Sequence, residues 1–184
     1  MSMAKASVSI AVLSDVHDHV WNLRAALASL DDADVLLYCG DFCSPFVVAL
    51  LAEGFEGRPI HAVFGNNDGD LFRIAQNAAR HEHVHLYGEV YKGELGGLRV
   101  AMNHFPELAL ELARSGSFDL VCFGHDHRLR VEQEAALAVN PGTLLGWDPS
   151  TRADVPATFV VVDSESREPS FFEVAGGEVR PLVG

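Results

Sequence analysis

Short apolar runs rich in β-branched residues alternate with helical stretches through the first half of this 184-residue chain. The predicted strands are Val8–Leu13, Asp34–Cys39 and Pro59–Phe64, and the predicted helices are Asn22–Leu30, Pro45–Leu51 and Asp70–Arg80. Strands that alternate with helices in this way pair in parallel through crossover connections and are buried on both faces. The pattern therefore predicts an α/β fold.

The second half of the chain is richer in strands. The predicted elements are two strands within Val84–Asn103 joined near Gly96-Gly97, a helix at Pro106–Ser115, strands at Leu120–Phe123, Arg130–Ala135 and Thr158–Asp163, and a hairpin over Ser170–Arg180. Pro141-Gly142 indicates a turn. We expect two packed mixed β-sheets flanked by helices, an α-β-β-α sandwich, in a single domain that covers residues 1–184.

Acidic residues outnumber basic ones by 26 to 13, which gives a formal net charge of −13. A negative protein surface opposes contact with a phosphate backbone, so we expect no extended nucleic-acid partner. The same field attracts divalent cations, although a solubilising acidic surface explains the composition equally well.

The cysteines and the N-terminus indicate a cytoplasmic location. Cys39, Cys43 and Cys122 are odd in number and lack a C-x-x-C spacing, which argues against a disulfide framework. The apolar run that follows Met1–Ser7 is too short for a membrane span, and it lacks a signal-peptide cleavage pattern. We expect no membrane partner, and the sequence leaves open whether the chain forms a homo-oligomer.

Polar side chains that can bind metal ions follow five successive apolar strands. They are Asp15 with His17, Asp41, Asn66 with Asn67 and Asp68, His104, and His125 with His127. Ligands of open α/β sheets bind at the carboxyl ends of the strands, so we expect these side chains to converge on one site. Residues i and i+2 of an extended segment point the same way, so Asp15 and His17 are expected to point at one locus. The same spacing joins His125 and His127.

Seven of these side chains offer nitrogen or oxygen ligands, which is more than one small ion needs. They can serve two ions if one carboxylate bridges, and two cations about 3.5 to 4 Å apart clamp the attacking and leaving oxygens of a phosphoryl displacement. Such a donor set suits Mn, Zn, Fe, Ni or Co better than Ca or Mg. We therefore expect two divalent metal ions, with manganese as the favoured metal.

The ordered motifs resemble those of the calcineurin-like metallophosphoesterase superfamily, in particular its compact bacterial and archaeal phosphodiesterase branch. They stand here as Asp15-Val16-His17, Gly40-Asp41, Gly65-Asn66-Asn67-Asp68, His104 and Gly124-His125-Asp126-His127. Each motif alone is a weak signal, because turns and helix caps use the same residues. Five motifs in order are a strong signal, and the resemblance covers nearly the whole chain.

The resemblance implies a hydrolase with an assigned set of ligands. One metal ion would be bound by Asp15, His17 and His127, a second by Asn66, His104 and His125, and both by a bridging Asp41. A hydroxide that bridges the ions would be the nucleophile, because metal binding lowers the pKa of water toward about 7. The implied substrate is a small phosphodiester or a cyclic nucleotide, and an acidic protein repels a diester less than a monoester.

Asn67 departs from the pattern of the family, which usually has at this position a histidine able to protonate the leaving alkoxide. An amide donates hydrogen bonds but releases no proton at neutral pH. We expect Asn67 to contact a phosphoryl oxygen and Asp68 to orient it, and these two are the candidate catalytic residues. Asp126 is a further candidate acid, although strand alternation directs it away from His125 and His127.

A second departure follows His104. The family often has His-Gly at this point, whereas this chain has His104-Phe105-Pro106.

The alternative from another class is a catalytically weak or inactive scaffold or interaction module of the same fold, because fold alone does not decide function. A structural metalloprotein is a third possibility and would need a closed coordination shell. Every predicted metal position here holds a residue that can coordinate, which a scaffold does not require. Retention of the ligands therefore favours the enzyme.

Overall fold

A computed structural model describes residues 7–182 of the chain. Its helices are α1 (Val20–Ala28), α2 (Phe46–Gly54), α3 (Leu71–Ala78) and α4 (Pro106–Arg114). Its strands are β1 (Ser9–Leu13), β2 (Val35–Tyr38), β3 (Ile60–Ala62), β4 (Val84–Leu86), β5 (Val90–Leu95), β6 (Leu98–Asn103), β7 (Leu120–Cys122), β8 (Leu129–Gln133), β9 (Leu137–Pro141), β10 (Trp147–Asp148), β11 (Ala153–Asp154), β12 (Ala157–Asp163), β13 (Pro169–Ala175) and β14 (Glu178–Pro181). Met1–Ala6, which entered the prediction of location, lie outside the described residues.

The larger sheet has seven strands in the order β14-β13-β12-β1-β2-β3-β4. Strands β1 to β4 are parallel, as the alternation of strands and helices predicts, and β12 to β14 extend the sheet in antiparallel fashion. Helices α1, α2 and α3 cover one face, where Leu23, Val48 and Ile74 pack with Leu36 and Ile60. Within residues 7–182, no helix has the length and hydrophobicity that a membrane crossing requires.

The smaller sheet has five strands in the order β5-β6-β7-β9-β8. Its inner face packs on the seven-stranded sheet, where Val12 and Leu37 meet Met102 and Val139 in a shared apolar core. Helix α4 covers the outer face through a cluster that includes Ala109. The layers therefore run helices, sheet, sheet, helix, and the predicted α-β-β-α sandwich of two mixed sheets is confirmed.

The structure differs from the predicted strands in three places. Val84–Asn103 holds three strands instead of two, and the first of them, β4, ends the seven-stranded sheet. Leu137–Pro141 was not predicted as a strand, yet it forms β9, which lies between β7 and β8 in the five-stranded sheet. Its proline is the last residue of the strand, where a missing N–H disrupts little of the ladder. The short ribbon of β10 and β11 was also not predicted.

Candidate active site

The predicted ligands converge where strands of both sheets end. They follow β1 (Asp15, His17), β2 (Asp41), β3 (Asn66), β6 (His104) and β7 (His125, His127). Asp41 lies near the centre, since its Oδ2 is 3.4 Å from His17 Nε2 and 3.5 Å from His104 Nε2. Asp15 Oδ1 is 3.6 Å from His17 Nε2 and 3.4 Å from His127 Nε2. Two buried carboxylates thus lie among three imidazole nitrogens.

The side chains form two adjoining clusters. Asp15, His17 and His127 place ligand atoms within 4.8 Å of one another, and so do Asp15, Asp41 and His104. Asn66 extends the second cluster, because its Oδ1 is 3.0 Å from His104 Nε2 and 2.8 Å from His125 Nδ1. All seven predicted ligands are therefore gathered in one place.

The outer nitrogens of two histidines fix which ring nitrogen faces the site. His104 Nδ1 lies 2.8 Å from the carbonyl oxygen of Cys39, and His127 Nδ1 contacts the carbonyl oxygen of Trp147. Because a carbonyl only accepts hydrogen bonds, each Nδ1 carries the proton. In the neutral ring, Nε2 then directs a lone pair at the carboxylates, which is the orientation that a metal ligand requires.

Asp15 provides a test of whether a cation fits this site. The residue is fully buried, and Oδ1 has no hydrogen-bond partner within residues 7–182, while Oδ2 accepts from the His125 N–H at 3.0 Å. Burial alone would raise the pKa of Asp15, but attraction to His127 and His17 outweighs it and holds the pKa below its ordinary value. A buried, ionised carboxylate with an unpartnered oxygen is costly unless positive charge lies beside it. The residues present therefore fit a divalent cation.

The charges of the two carboxylates also act on the histidines. Burial alone would lower the pKa of His104, but contact with Asp41 and the charge of Asp15 raise it above its ordinary value. The pKa of His127 is raised in the same way, against burial, by Asp15 and by the carbonyl of Trp147. The site therefore favours positive charge at the histidines, which a bound cation supplies directly.

Left-handed backbone geometry is concentrated in the loops that carry these residues. Positive φ angles occur at Asp15 (53°), His17 (43°), Asp18 (62°), Asp41 (62°), Cys43 (68°), His125 (76°) and His127 (58°). Each such non-glycine residue costs on the order of 1–2 kcal/mol, and strain of this kind clusters at functional sites. The prediction that each i, i+2 pair lies on an extended segment was wrong, because all four residues have left-handed backbone conformations.

Asp18, which the sequence analysis did not select, ties two of these loops together. Its carboxylate accepts from the backbone N–H of Ser44 at 2.9 Å and from the Ser44 hydroxyl at 2.6 Å. The His17 N–H also donates to the Asp41 carbonyl at 3.3 Å. A carboxylate directly after the D-x-H motif was the sequence signal for this residue.

The hydrogen bonds of Asn67 and Asp68 differ from those we expected. Asn67 donates twice to Asp41, from its N–H to Oδ1 and from its Nδ2 to Oδ2, each at 2.8 Å. Asp68 accepts from the backbone N–H groups of Cys43 at 3.0 Å and Gly65 at 2.7 Å. The expectation that Asp68 orients Asn67 was wrong, because both of its oxygens are committed to the backbone. Asn67 instead holds Asp41 in place.

Asp126 is engaged in its own turn. Its Oδ1 accepts from Asn140 Nδ2 at 2.6 Å and from the Arg128 N–H at 3.2 Å, and its Oδ2 lies 3.5 Å from Arg130 Nη2. Both carboxylate oxygens therefore already have partners in the turn or on the neighbouring strands. The candidate role of Asp126 as an acid is therefore not supported.

A family model described as the calcineurin-like phosphoesterase superfamily domain matches residues 8–167. The chain belongs to this superfamily. It is a metal-dependent phosphoesterase, a hydrolase, and its ligand clusters support the binding of divalent metal.

Known proteins resemble the chain over nearly its full length. A phosphodiesterase of Methanocaldococcus jannaschii is 31% identical over 168 residues, which are 88% of this chain and 96% of that protein. A solved archaeal phosphodiesterase structure matches with a TM-score of 0.79 and 28% identity, over 90% of this chain and 99% of that one. Vacuolar protein sorting 29 of Cryptosporidium parvum matches with a TM-score of 0.72 over 97% of both chains, but at 20% identity this shows the fold alone. The predicted resemblance to the compact phosphodiesterase branch is confirmed.

Gly65→Ala is expected to displace Asp41 and so to impair this phosphoesterase. A Cβ at position 65 would lie 2.2 Å from Asp41 Oδ1 and 2.7 Å from the Asp41 nitrogen, so the carboxylate must move. We expect a loss of about 10²-fold in kcat/KM, since a displacement near 1 Å in a catalytic centre costs that much. The measurement is hydrolysis of a chromogenic diester with saturating Mn²⁺.

The control lies in the same loop. A Cβ at Gly69 would meet its nearest neighbour, the Cys43 carbonyl oxygen, at an ordinary 3.6 Å, so Gly69→Ala should retain activity. Equal activities of the two variants would contradict the close approach of Gly65 to Asp41.

Proposed function

We propose that this phosphoesterase hydrolyses a phosphodiester at a dinuclear metal centre. The position of Asp41 carries the proposal, because its Oδ2 lies 3.4 Å from Nε2 of His17, in the first ligand cluster, and 3.5 Å from Nε2 of His104, in the second. A carboxylate in this position is suited to bridge two ions. The diester class is supported by the M. jannaschii phosphodiesterase at 31% identity.

The proposed ligands divide into two sets that share one residue. Asp15, His17 and His127 would hold one ion, Asn66, His104 and His125 the other, and Asp41 both. Manganese is the proposed metal, with Zn, Fe, Ni or Co as alternatives, because imidazole and carboxylate donors suit all of them. When bound, the two ions supply a water of lowered pKa as nucleophile and neutralise the phosphoryl oxygens.

The protein's own acid is the missing part of the reaction. Asn67 cannot release a proton, and the carboxylates of Asp68 and Asp126 are both engaged by hydrogen-bond donors. We therefore propose that water protonates the leaving group. General acid catalysis is typically worth about 10²- to 10⁴-fold. Without it, esters whose leaving alcohol is acidic should be hydrolysed fastest, because such an alcohol can leave as the anion.

Asn67→Ala is expected to lower kcat/KM by about 10- to 100-fold, because residues that hold a ligand in place contribute effects of this size. The loss should be equal for aryl diesters with strongly and weakly acidic leaving groups, since Asn67 acts through Asp41. Asn77→Ala is the matched control. Asn77 Nδ2 also donates a hydrogen bond, at 2.8 Å, but to the Pro45 carbonyl instead of to a proposed metal ligand. A loss confined to the poorer leaving group would instead assign proton transfer to Asn67.

The substrate we propose is a small phosphodiester or a cyclic nucleotide, with weaker activity on monoesters. The net charge of −13 supports this choice, because a dianionic monoester is repelled more strongly than a diester. Extended nucleic acid is disfavoured for the same reason.

The experiment for this function uses chelator-stripped protein and a chromogenic phosphodiester. Activity that returns with Mn²⁺ supports the dinuclear esterase. Absence of activity with every divalent ion, while the ions still bind, would contradict the esterase function and favour a scaffold or interaction module of the same fold.

We also infer that residues 1–184 form one domain and that the protein acts in the cytoplasm. The two sheets share one apolar core, which supports a single folding unit. Cys39, Cys43 and Cys122 are all free thiols, which suits a reducing compartment.

A further inference from the structure

Phe105 places an apolar ring directly against two histidines of the candidate centre. Its ring centroid lies 5.1 Å from that of His104, at an interplanar angle of 80°, and 5.1 Å from that of His125, at 60°. Both contacts are edge-to-face, a favoured arrangement of aromatic pairs. Phe105 is 37% exposed, whereas His104 is completely buried. The exposed part of the phenyl ring therefore borders the centre from the solvent side.

The backbone of Phe105 is held on both sides. Its N–H donates to Asn103 Oδ1 at 2.9 Å, and its carbonyl accepts from the Ala109 N–H at 3.1 Å in the first turn of α4. The buried Asn103 is itself fixed by a 2.7 Å hydrogen bond from Nδ2 to the Glu89 carbonyl. Pro106 begins α4 and restricts Phe105 to the extended conformation it shows, φ −88° and ψ 129°. The backbone of Phe105 is therefore fixed and its ring packs on two histidines, so contact with the ring orders few additional groups.

An exposed phenyl ring contributes nothing to holding cations or phosphoryl oxygens, which need charged and polar partners. Its exposure costs free energy in proportion to the apolar area left in water. That area is removed from water if a flat apolar group stacks on it, and stacking on an aromatic side chain tolerates many ring types. A phosphodiester carries two organic substituents. A substituent that lies on the His104 and His125 side of the centre is next to the phenyl ring of Phe105.

We propose that Phe105 is a specificity-determining residue that binds an aromatic substituent of the diester, an aryl group or a nucleobase. The inference rests on the proposed diesterase function and adds the substrate class. Asn103 and Pro106 act through Phe105 by fixing the backbone from which its ring projects. Diesters with two small aliphatic substituents lack this contact and bind more weakly.

The test compares two inhibitors in which both substituents change together, so that either orientation in the site is covered. Methyl p-nitrophenyl phosphate serves as the reporter substrate with saturating Mn²⁺, and the inhibition constants of diphenyl phosphate and dimethyl phosphate are measured. We expect wild-type protein to favour diphenyl phosphate. The inhibition constant of dimethyl phosphate divided by that of diphenyl phosphate is the ratio of interest. Phe105→Ala should reduce this ratio by about tenfold, the size of one stacking contact. Phe105→Tyr should keep the ratio, and Phe105→Leu should keep only part of it.

The affinity for Mn²⁺, measured by titration calorimetry on each variant, separates this role from mere support of the histidines. An unchanged ratio in Phe105→Ala, with or without weaker Mn²⁺ binding, would overturn the proposal. If wild type hydrolyses the reporter but the ratio is unchanged in Phe105→Ala, the role of Phe105 is contradicted and the proposed diesterase function is not. Failure of wild type to hydrolyse the reporter with any divalent ion would remove the proposed function together with it.

Discussion

Replacement of Asp41 by alanine is expected to lower kcat for a chromogenic phosphodiester by at least about 10³-fold, beyond the 10- to 100-fold typical of residues that only support a ligand. Asp41 is 1% exposed, and its carboxylate lies within 3.5 Å of His17 and His104, which belong to different ligand clusters. Loss of the carboxylate removes the group proposed to hold both ions at one spacing. Steady-state hydrolysis with excess Mn²⁺ measures the effect.

Two further variants make this result specific. Asp41→Asn keeps the shape and removes the charge, so it should lose nearly as much activity as Asp41→Ala. Asp119 lies just before β7, at the end of that strand remote from the site, and pairs with Arg99 at 2.9 Å. Asp119→Asn should therefore leave the rate nearly unchanged. An Asp41→Ala enzyme with activity within tenfold of wild type would show that Asp41 does not bridge the ions.

Mn²⁺ is expected to raise the melting temperature of the wild-type protein by roughly 5–10 °C for each bound ion at 100 times its Kd. The estimate follows from about 2.7 kcal/mol of linkage stabilisation at that excess and from about 2–4 °C per kcal/mol for a chain of this size. Asp15→Asn should lose most of this increase, because Asp15 places Oδ1 among the nitrogens of His17 and His127. Thermal unfolding with chelator and with Mn²⁺ measures both quantities.

The metal-free state of the same variant has its own expected result. Asp15 is fully buried, but attraction to His127 and His17 outweighs burial and holds its pKa below its ordinary value, so the ionised carboxylate stabilises the fold even without metal. Asp15→Asn should therefore melt lower than wild type in chelator. Asp148→Asn is the control, because this buried carboxylate is satisfied by Ser150 at 2.6 Å and should keep the full Mn²⁺ response. A wild-type Mn²⁺ response in Asp15→Asn would contradict the ligand assignment.

Local patterns were sufficient to predict most of the fold. The β-branched runs and helical spacing located β1 to β3 and α1 to α4 within a few residues of their observed ends. The pattern failed where pairing is set by distant segments. Leu137–Pro141, which was not predicted, is inserted between β7 and β8. Ala157–Asp163 was predicted as a strand, but its pairing with β1 from the other end of the chain was not. Such neighbours depend on burial in the whole fold, which a local window does not contain.

The candidate site was predictable in its residues but not in its conformation. The spacing of Asp15 with His17, and of the two histidines after β7, suggested strands, whereas the backbone is left-handed. Left-handed geometry at non-glycine residues opposes local preference and persists because the surrounding structure holds it, so local rules fail at functional sites. The roles of Asn67 and Asp68 depend on Asp41, Cys43 and Gly65, and contacts between separate loops are not visible in a motif.

The proposed dinuclear centre places Asp41 between two metal ions. Anomalous diffraction at the manganese edge, from crystals grown with Mn²⁺, tests this position directly. We expect two peaks about 3.5 to 4 Å apart, the spacing of two-metal phosphoesterase centres, with the Asp41 carboxylate between them. A single peak, or two peaks of which only one contacts Asp41, would contradict it.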